Sequence, residues 1–165
     1  MRQSLTTALA ALLLAPLPGT AQTAAPRPVR PMHTFSIVAV DSATGQIGVA
    51  VQSHWFSVGG TVAWAEAGVG AVATQSFINP AYGPRALALM RTGVSAPLAM
   101  RALIAADADS AVRQLGMIDA AGRVASFTGQ RDIPEAGSHG GRWYAAQANI
   151  MARNTVWGAM GRAFE

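Results

Sequence analysis

The sequence has no cysteine and no lysine, and it is poor in charge of either sign. Charged residues make up 12% of its 165 residues, and all twelve basic residues are arginines scattered singly along the chain. The lack of cysteine excludes disulfide bonds, so stability has to come from packing. Nucleic-acid binding usually needs a stripe of positive charge interleaved with stacking aromatics, which is missing here. We therefore expect no nucleic-acid partner.

Recognisable metal-binding and phosphate-binding motifs are missing as well. The three histidines, His33, His54 and His139, do not have the helical spacing of a zinc site. The paired glycines Gly59 and Gly60 are not followed by the lysine of a phosphate loop. The sequence contains no Gly-x-Ser-x-Gly segment, which is the motif of the nucleophile elbow in serine hydrolases. The sequence thus predicts no metal ion and no cofactor.

One hydrophobic run stands out, at the N-terminus. It extends from about Leu5 to Leu17, follows Arg2, and is too short for a membrane span, which needs about 20 residues. The small residues that follow complete the pattern of a secretory signal peptide over residues 1–21, with cleavage after Ala21. We expect a secreted or periplasmic protein that does not associate with the membrane once the signal is removed. Residues 22–32 predict an extended, proline-rich spacer.

Residues 33–165 predict one domain of strands and helices. Thr34 to Val40 is a strand by its β-branched content, and its two apolar faces predict burial on both sides. Further strands are predicted at 46–53, 61–66, 69–76, 111–119, 123–128 and 143–151. Helices are predicted at 80–92, 96–107 and 155–165, with Asn79, Ser95 and Asn154 as N-caps, and loops at 54–60 and 137–141. Strands and helices do not alternate singly, which favours a layered α+β domain over a doubly wound one.

Thr34 occupies an unusual position, because a hydroxyl residue opens the first buried strand directly after the spacer. A threonine with a free α-amine is a useful nucleophile, since that amine serves as the general base for the hydroxyl. Proteolysis of the spacer would expose such an amine. Threonine is also a good strand former, and many strands begin with one. The residues alone leave both interpretations open.

Ordered motifs over nearly the whole domain resemble the family known as domain of unknown function 1028. They include "HTFSIVAVD", "TGQIGVAVQSHWFSVGG" and "WAEAGVGAVATQSFINPAYGPRALALMRTG". The resemblance continues through "RQLGMIDAAGRVASFTG", "AGSHGGRWYAAQANIM" and "NTVWGAMGRAFE", and so covers residues 33 to 165. It implies a relative of the N-terminal-nucleophile hydrolases with a four-layer α-β-β-α sandwich. Because the family continues with a further helix and strand, the resemblance also implies a sandwich incomplete at its C-terminal end.

The resemblance places Thr34 where the nucleophile of such hydrolases lies, at the head of the first strand. One departure matters, because His33 and the spacer still precede Thr34 after signal cleavage. Either the His33–Thr34 bond is cut later, in one version by Thr34 itself through an acyl shift, or Thr34 never becomes terminal. In the second case the mechanism has no amine base.

Polar residues at other strand ends are the supporting candidates. Ser53 and His54 end the second strand of an antiparallel hairpin, so they are expected beside Thr34 as catalytic partners or as an ordinary strand-end pair. The polar cluster at and after the end of the fourth strand would line a pocket for substrate; its members are Thr74, Gln75, Ser76, Asn79 and Tyr82. Asn149 shares one strand face with Gln147. Buried amides need hydrogen-bond partners, so we expect these two side chains either to donate to the substrate or to form a buried network.

The leading hypothesis is an exported hydrolase of amide (C–N) bonds that uses Thr34 as nucleophile. Its partner would be a small amide-containing molecule or a cell-wall fragment. The alternative is a non-catalytic periplasmic binding or assembly protein on the same fold, and an incomplete, unstable fragment is a third possibility. A homo-oligomer also remains open.

Overall fold

The computed structural model describes residues 32–165, so the predicted signal peptide and all but Met32 of the predicted spacer lie outside the described residues. The described part contains eight strands and four helices. The strands are β1 Thr34–Val40, β2 Ile47–Gln52, β3 Ala63–Glu66, β4 Gly70–Ser76, β5 Arg113–Asp119, β6 Val124–Thr128, β7 Gly137–Gly141 and β8 Tyr144–Asn149. The helices are α1 Gly59–Val62, α2 Tyr82–Arg91, α3 Ala96–Ala105 and α4 Val156–Phe164.

The strands form two four-stranded sheets, in the orders β2-β1-β8-β7 and β3-β4-β5-β6. Every neighbouring pair is antiparallel. In this arrangement the start of β1 lies beside the ends of β2 and β8, and Thr34 pairs directly with Asn149. In the other sheet the end of β4 lies beside the start of β5. The fold is therefore a mixed α/β one with two antiparallel sheets.

The two sheets pack against each other through small apolar side chains. This core consists of Val38, Val40, Ala71, Ala73, Ile118 and Ala145. Because side chains alternate along a strand, the inner face of β1 also carries Thr34 and Ser36, and that of β4 also carries Gln75. All three are buried. Polar side chains thus occupy one end of an otherwise apolar interface between the sheets.

Helices pack on the outer side of each sheet. The helices α2 and α3 cover the β3-β4-β5-β6 sheet through a second core that includes Val72, Leu87, Met100 and Leu115. The helix α4 packs on β7 and β8 of the other sheet. Within residues 32–165, none of these helices has the length and apolar character needed to cross a membrane.

The order of strands and helices in the sequence prediction is confirmed, but two segments predicted as loops are regular structure. Residues 137–141 form β7, which pairs with β8 despite three glycines. Two of these glycines are needed for close packing, because a side chain at Gly137 would overlap Trp157 and one at Gly141 would overlap Tyr144. Residues 59–62 form the single-turn helix α1 in a segment predicted as loop and the start of a strand.

Three local predictions were wrong. The strand β1 is buried on one face only, since Phe35 on its outer face is 36% exposed. Asn79 does not cap α2, whose N-cap is Ala81; its Oδ1 instead accepts a hydrogen bond from the Ala81 N–H at 3.1 Å. The N-cap of α4 is Thr155 and not Asn154. Ser95 does stand at the N-cap of α3.

Candidate functional site

A cavity of about 660 Å³ lies where the strand ends described above converge. This volume is typical of small-molecule sites, which span roughly 300–1,000 Å³. Its lining contains Thr34 from β1, Ser53 and His54 after β2, Gln75 and Ser76 from β4, Arg113 from β5 and Asn149 from β8; the rest is mainly apolar and aromatic. The antiparallel order of both sheets therefore gathers polar side chains from distant parts of the sequence at one cavity.

Thr34 is held firmly at this cavity. Its residue surface is 5% exposed, and its Oγ1 lies 2.9 Å from Ser53 Oγ. Ser53 Oγ also accepts a hydrogen bond from the Trp55 N–H at 3.2 Å, which fixes the hydroxyl that faces Thr34. The preceding residue is anchored too, because His33 Nδ1 lies 2.9 Å from the carbonyl oxygen of Ile150. The structure thus brings the predicted pair Thr34 and Ser53 together.

His54 lines the same cavity but is exposed, and its ring lies 5.5 Å from that of Trp55. No hydrogen bond within residues 32–165 joins it to Thr34 or Ser53. His54 therefore belongs to the mouth of the cavity, whereas Thr34 belongs to its buried part.

Gln75 lies on the inner face of β4, near the C-terminal end of the strand, and is 2% exposed. Its Nε2 is buried and has no hydrogen-bond partner within residues 32–165. Burying an amide group without a partner is unfavourable by a few kcal/mol, so a group of this kind usually has a ligand or water as its partner. Gln75 is also a lining residue of the cavity, so a rotation of its amide group would turn this unpaired donor toward a bound ligand.

Asn149 also lines the cavity, but its amide nitrogen already donates to a strand of the facing sheet. Its Nδ2 donates a hydrogen bond of 3.0 Å to Gln114 Oε1, and Gln114 Nε2 donates to Ala148 O at 3.0 Å. Its strand neighbour Gln147 donates through Nε2 to Ser36 Oγ at 3.0 Å. The sequence left two roles open for these amides, substrate donors or a buried network. The structure places both amides in a buried network between the sheets.

The remaining predicted residues lie elsewhere. Thr74 is fully buried on the face of β4 that points to α2 and α3, opposite to Gln75. Asn79 and Tyr82 line a separate cavity of about 70 Å³ at the start of α2. The Tyr82 hydroxyl donates to Asp107 Oδ2 at 3.1 Å, and burial raises the pKa of Tyr82 above its ordinary value. The structure does not bring these three residues to the cavity that holds Thr34.

Two features of the cavity escaped the sequence analysis: the residues of its mouth and the backbone conformation of two lining residues. Large apolar side chains form its mouth: Trp55, Phe56, Phe77 and Ile78, of which Phe56 is 97% exposed. Two non-glycine residues of the lining have left-handed backbone, Ser76 with φ 65° and Ile150 with φ 57°. Such conformations are rare for a β-branched residue and cluster at functional sites. No sequence signal marks them, because backbone strain depends on the surrounding fold.

Two carboxylates set the electrostatics behind the cavity. Asp132 Oδ1 accepts hydrogen bonds from the Ser76 hydroxyl and the Ile133 N–H, and burial raises the pKa of Asp132. Asp107 accepts a hydrogen bond from Arg113 Nε at 2.9 Å, and this contact lowers its pKa to about 2. Arg113 is thus a charged lining residue whose charge is already paired.

Potential metal ligands are not gathered anywhere in the described part. No group of three or more histidine or acidic side chains with metal-binding geometry occurs in residues 32–165. The polar groups that line the cavity are hydroxyls, amides, the paired guanidinium of Arg113 and one exposed imidazole.

Fold and site together define a mixed α/β protein whose two antiparallel sheets hold a cavity with a buried threonine hydroxyl at one end. The sequence profile of the DUF1028 family, described as a family of unknown function, matches residues 34–165. The chain belongs to this family. A DUF1028 protein from Silicibacter pomeroyi has a similar crystal structure, with a TM-score of 0.76 and 34% sequence identity.

That similarity covers 80% of this chain and 59% of the Silicibacter pomeroyi chain. The present chain therefore corresponds to less than two thirds of that relative. No curated protein matches the chain. The predicted family is confirmed, while the relation to N-terminal-nucleophile hydrolases stays a prediction.

Proposed function

We propose that the protein is an exported hydrolase of amide bonds, in which Thr34 acts as an N-terminal nucleophile. One observation carries the proposal: the hydroxyl of Thr34 lies in a ligand-sized cavity, 2.9 Å from the Ser53 hydroxyl, on the buried face of β1 at its first residue. The helices outside the two facing sheets support an α-β-β-α sandwich of the N-terminal-nucleophile type. In this proposal residues 1–21 direct export to the periplasm or the outside of the cell.

The proposed reaction has two stages. The α-amine of Thr34 takes the proton from Oγ1, which attacks the carbonyl carbon of the bound amide. The amine then gives this proton to the leaving nitrogen, and the acyl group remains as an ester on Thr34. Water hydrolyses the ester in the second stage, again with the amine as base. Ser53 contributes by holding Oγ1 in place.

The mechanism requires a cut between His33 and Thr34, since an amide nitrogen is not a base. In the self-processing version, Thr34 Oγ1 attacks the carbonyl carbon of His33, the C–N bond breaks, and the proton of the hydroxyl passes to the released nitrogen of Thr34. Water then hydrolyses the resulting ester, which leaves a carboxylate on His33 and a free amine on Thr34. The burial of Thr34 beside Ser53 supports this version, because the contact with Ser53 holds the hydroxyl that would act in both reactions.

The alternative function is a binding or assembly protein that is not catalytic. One observation favours it: His33 Nδ1 contacts Ile150 O at 2.9 Å, so the uncut residue fits well against the end of β8. In this case the cavity would bind a ligand without cleaving it, and Thr34 would supply a hydroxyl donor.

The first test is the N-terminus of the exported protein. Intact mass and N-terminal sequencing distinguish a start at Thr34 from a start at Gln22. Periodate adds a chemical check that needs no substrate, because it converts an N-terminal threonine into an aldehyde. We expect a wild-type protein that starts at Thr34 and reacts. A Thr34→Ala variant should keep His33 if Thr34 cuts the bond itself.

The second test is turnover of neutral and charged acyl 4-nitroanilides. Thr34→Ala should abolish hydrolysis and leave the thermal unfolding midpoint nearly unchanged, while Thr34→Ser should retain part of the rate. Thr92→Ala is the matched control, because that threonine lies at the exposed end of α2, far from the cavity. Full activity of Thr34→Ala, or a mature protein that retains His33 and still hydrolyses amides, would contradict the proposal.

A further inference from the structure

We propose that the cavity binds a neutral amide whose carbonyl oxygen accepts a hydrogen bond from Gln75 Nε2 and whose apolar, aromatic part lies against Trp55, Phe56 and Phe77. This inference rests on the proposed function in so far as the bound amide is the substrate of Thr34. Its binding step, however, is testable without any turnover.

The donor of Gln75 is the first part of the argument. Gln75 is only 2% exposed, and its Nε2 has no acceptor within residues 32–165. A carbonyl oxygen is the natural partner of an amide N–H₂ group. A ligand carbonyl at this position would remove the cost of the unpaired donor and so favour binding.

The position of Gln75 relative to Thr34 is the second part. Both side chains line the same cavity, one from each sheet. On the facing strands β1 and β4, Val38 and Val40 pack in one core with Ala71 and Ala73, so Thr34 and Gln75 lie on inner faces toward the same end. A carbonyl group held between them would present its oxygen to the amide and its carbon to the hydroxyl.

The charges of the lining indicate that the ligand is neutral. Arg113 is the one cationic guanidinium of the lining, and each of its three nitrogens faces a protein oxygen already. Nε contacts Asp107 Oδ2 at 2.9 Å, Nη1 contacts Phe77 O at 2.7 Å and Nη2 lies 3.7 Å from Asp109 Oδ2. A carboxylate in the cavity would therefore have no unpaired guanidinium to compensate its lost hydration.

The mouth of the cavity indicates the apolar part of the ligand. Trp55 is 70% exposed, Phe56 97% and Phe77 57%, and all three belong to the lining. Large aromatic side chains clustered at a cavity mouth are unusual on a surface without a binding role. A ring placed between them buries apolar area and makes offset or edge-to-face contacts.

A purely structural role for Gln75 is the competing explanation. Gln147 Oε1 is also buried without a partner in the described part, and enclosed water molecules would satisfy such amide groups without any ligand. In that case the Gln75 amide would not respond to a ligand. The two explanations therefore differ in one measurable signal.

The test uses nuclear magnetic resonance on the ¹⁵N-labelled Thr34→Ala protein, which cannot consume an amide through Thr34. Phenylacetamide is titrated first, then acetamide, which lacks the ring, and phenylacetate, which carries a charge. We expect phenylacetamide to shift the Gln75 side-chain N–H₂ signals and to bind at least about tenfold more tightly than the other two. Gln75→Met, which is apolar and of similar length, and Phe56→Ala should each weaken phenylacetamide binding.

Phe164→Ala is the matched control, because Phe164 is 49% exposed on α4 and lies outside the cavity lining. It should leave the affinity unchanged. The proposal is overturned if the Gln75 signals stay fixed, if phenylacetate binds as well as phenylacetamide, or if acetamide matches both. Such a result would leave the nucleophile test untouched, since that test reads the N-terminus of the wild-type protein and not the ligand.

Discussion

Asn149 on β8 donates a hydrogen bond of 3.0 Å to Gln114 on β5, and this contact joins the two sheets directly behind the cavity. Gln114 in turn donates to Thr128 Oγ1 at 3.1 Å and to Ala148 O at 3.0 Å. Both amide side chains are buried. The wall of the cavity is thus held by a polar network and not by apolar packing alone.

Replacing Asn149 by alanine is expected to destabilise the fold substantially. The substitution leaves Gln114 Oε1 buried without a donor, and such a group costs about 1–3 kcal/mol. Urea unfolding followed by circular dichroism measures the difference in the free energy of unfolding. An exposed ion pair supplies the control: Arg91→Ala removes the contact with Glu66, which is worth less than about 1 kcal/mol. Equal losses in the two variants would argue against a stabilising network.

A second prediction concerns Gly116 on β5, which faces the network from the other sheet. A side chain at this position would overlap the amide of Gln147, which donates to Ser36. We expect Gly116→Ala to lower the free energy of unfolding by about 1–3 kcal/mol, as overpacked cores do. Gly48 is the matched control, since it also lies in a strand and has open space around it. Gly48→Ala should be nearly neutral, and an equal effect at both sites would exclude overlap as the cause.

The third prediction concerns pH and Asp132. Burial raises the pKa of this carboxyl in the folded protein above the value of 3.8 that it has when unfolded. Above pH 3.8 the unfolded chain ionises while the folded protein resists ionisation, so the group reduces stability at neutral pH. Asp132→Asn should therefore raise the unfolding midpoint at pH 7, and the gain should disappear as the pH falls below 3.8.

Asp41 gives a control of opposite sign. Its pKa is lowered, first by the hydrogen bond from the Ala43 N–H and then by that from Thr44. A lowered pKa stabilises the fold above 3.8, so Asp41→Asn should lower the midpoint at pH 7 and have less effect as the pH falls. Thermal unfolding at several pH values compares the two variants. A gain for Asp132→Asn that persists in acid would show that burial of charge is not its cause.

The sequence was informative about the strands and helices because their hydrophobic patterns are regular. Apolar and β-branched segments separated by turn residues predict most of the strands. These are the hairpin from β1 to β2 and the strands β4, β5, β6 and β8. The strand β7 was missed because glycine has low strand propensity, and only contact with Trp157 and Tyr144 explains its conformation. Tertiary packing, which one sequence does not display, decided that element.

The candidate site was predictable where it depends on strand order. Ser53 was expected beside Thr34 because an antiparallel hairpin brings strand start and strand end together, and the two hydroxyls are 2.9 Å apart. Asn79 and Tyr82 are close to Gln75 in sequence, but after the left-handed Ser76 only Phe77 and Ile78 still line the cavity, and Asn79 and Tyr82 line a separate one. Backbone conformation of this kind has no signature in residue type.

The last prediction concerns the hydroxyl that holds the proposed nucleophile. Ser53→Ala removes the 2.9 Å contact with Thr34 Oγ1 and the acceptor of the Trp55 N–H. One lost hydrogen bond of about 1 kcal/mol, together with a less restricted hydroxyl, should lower kcat for phenylacetyl 4-nitroanilide about tenfold and leave KM nearly unchanged. Ser126→Ala is the control, because Ser126 is exposed on β6 and remote from the cavity. A rise in KM with unchanged kcat would instead assign Ser53 to ligand binding and remove it from the orientation of the nucleophile.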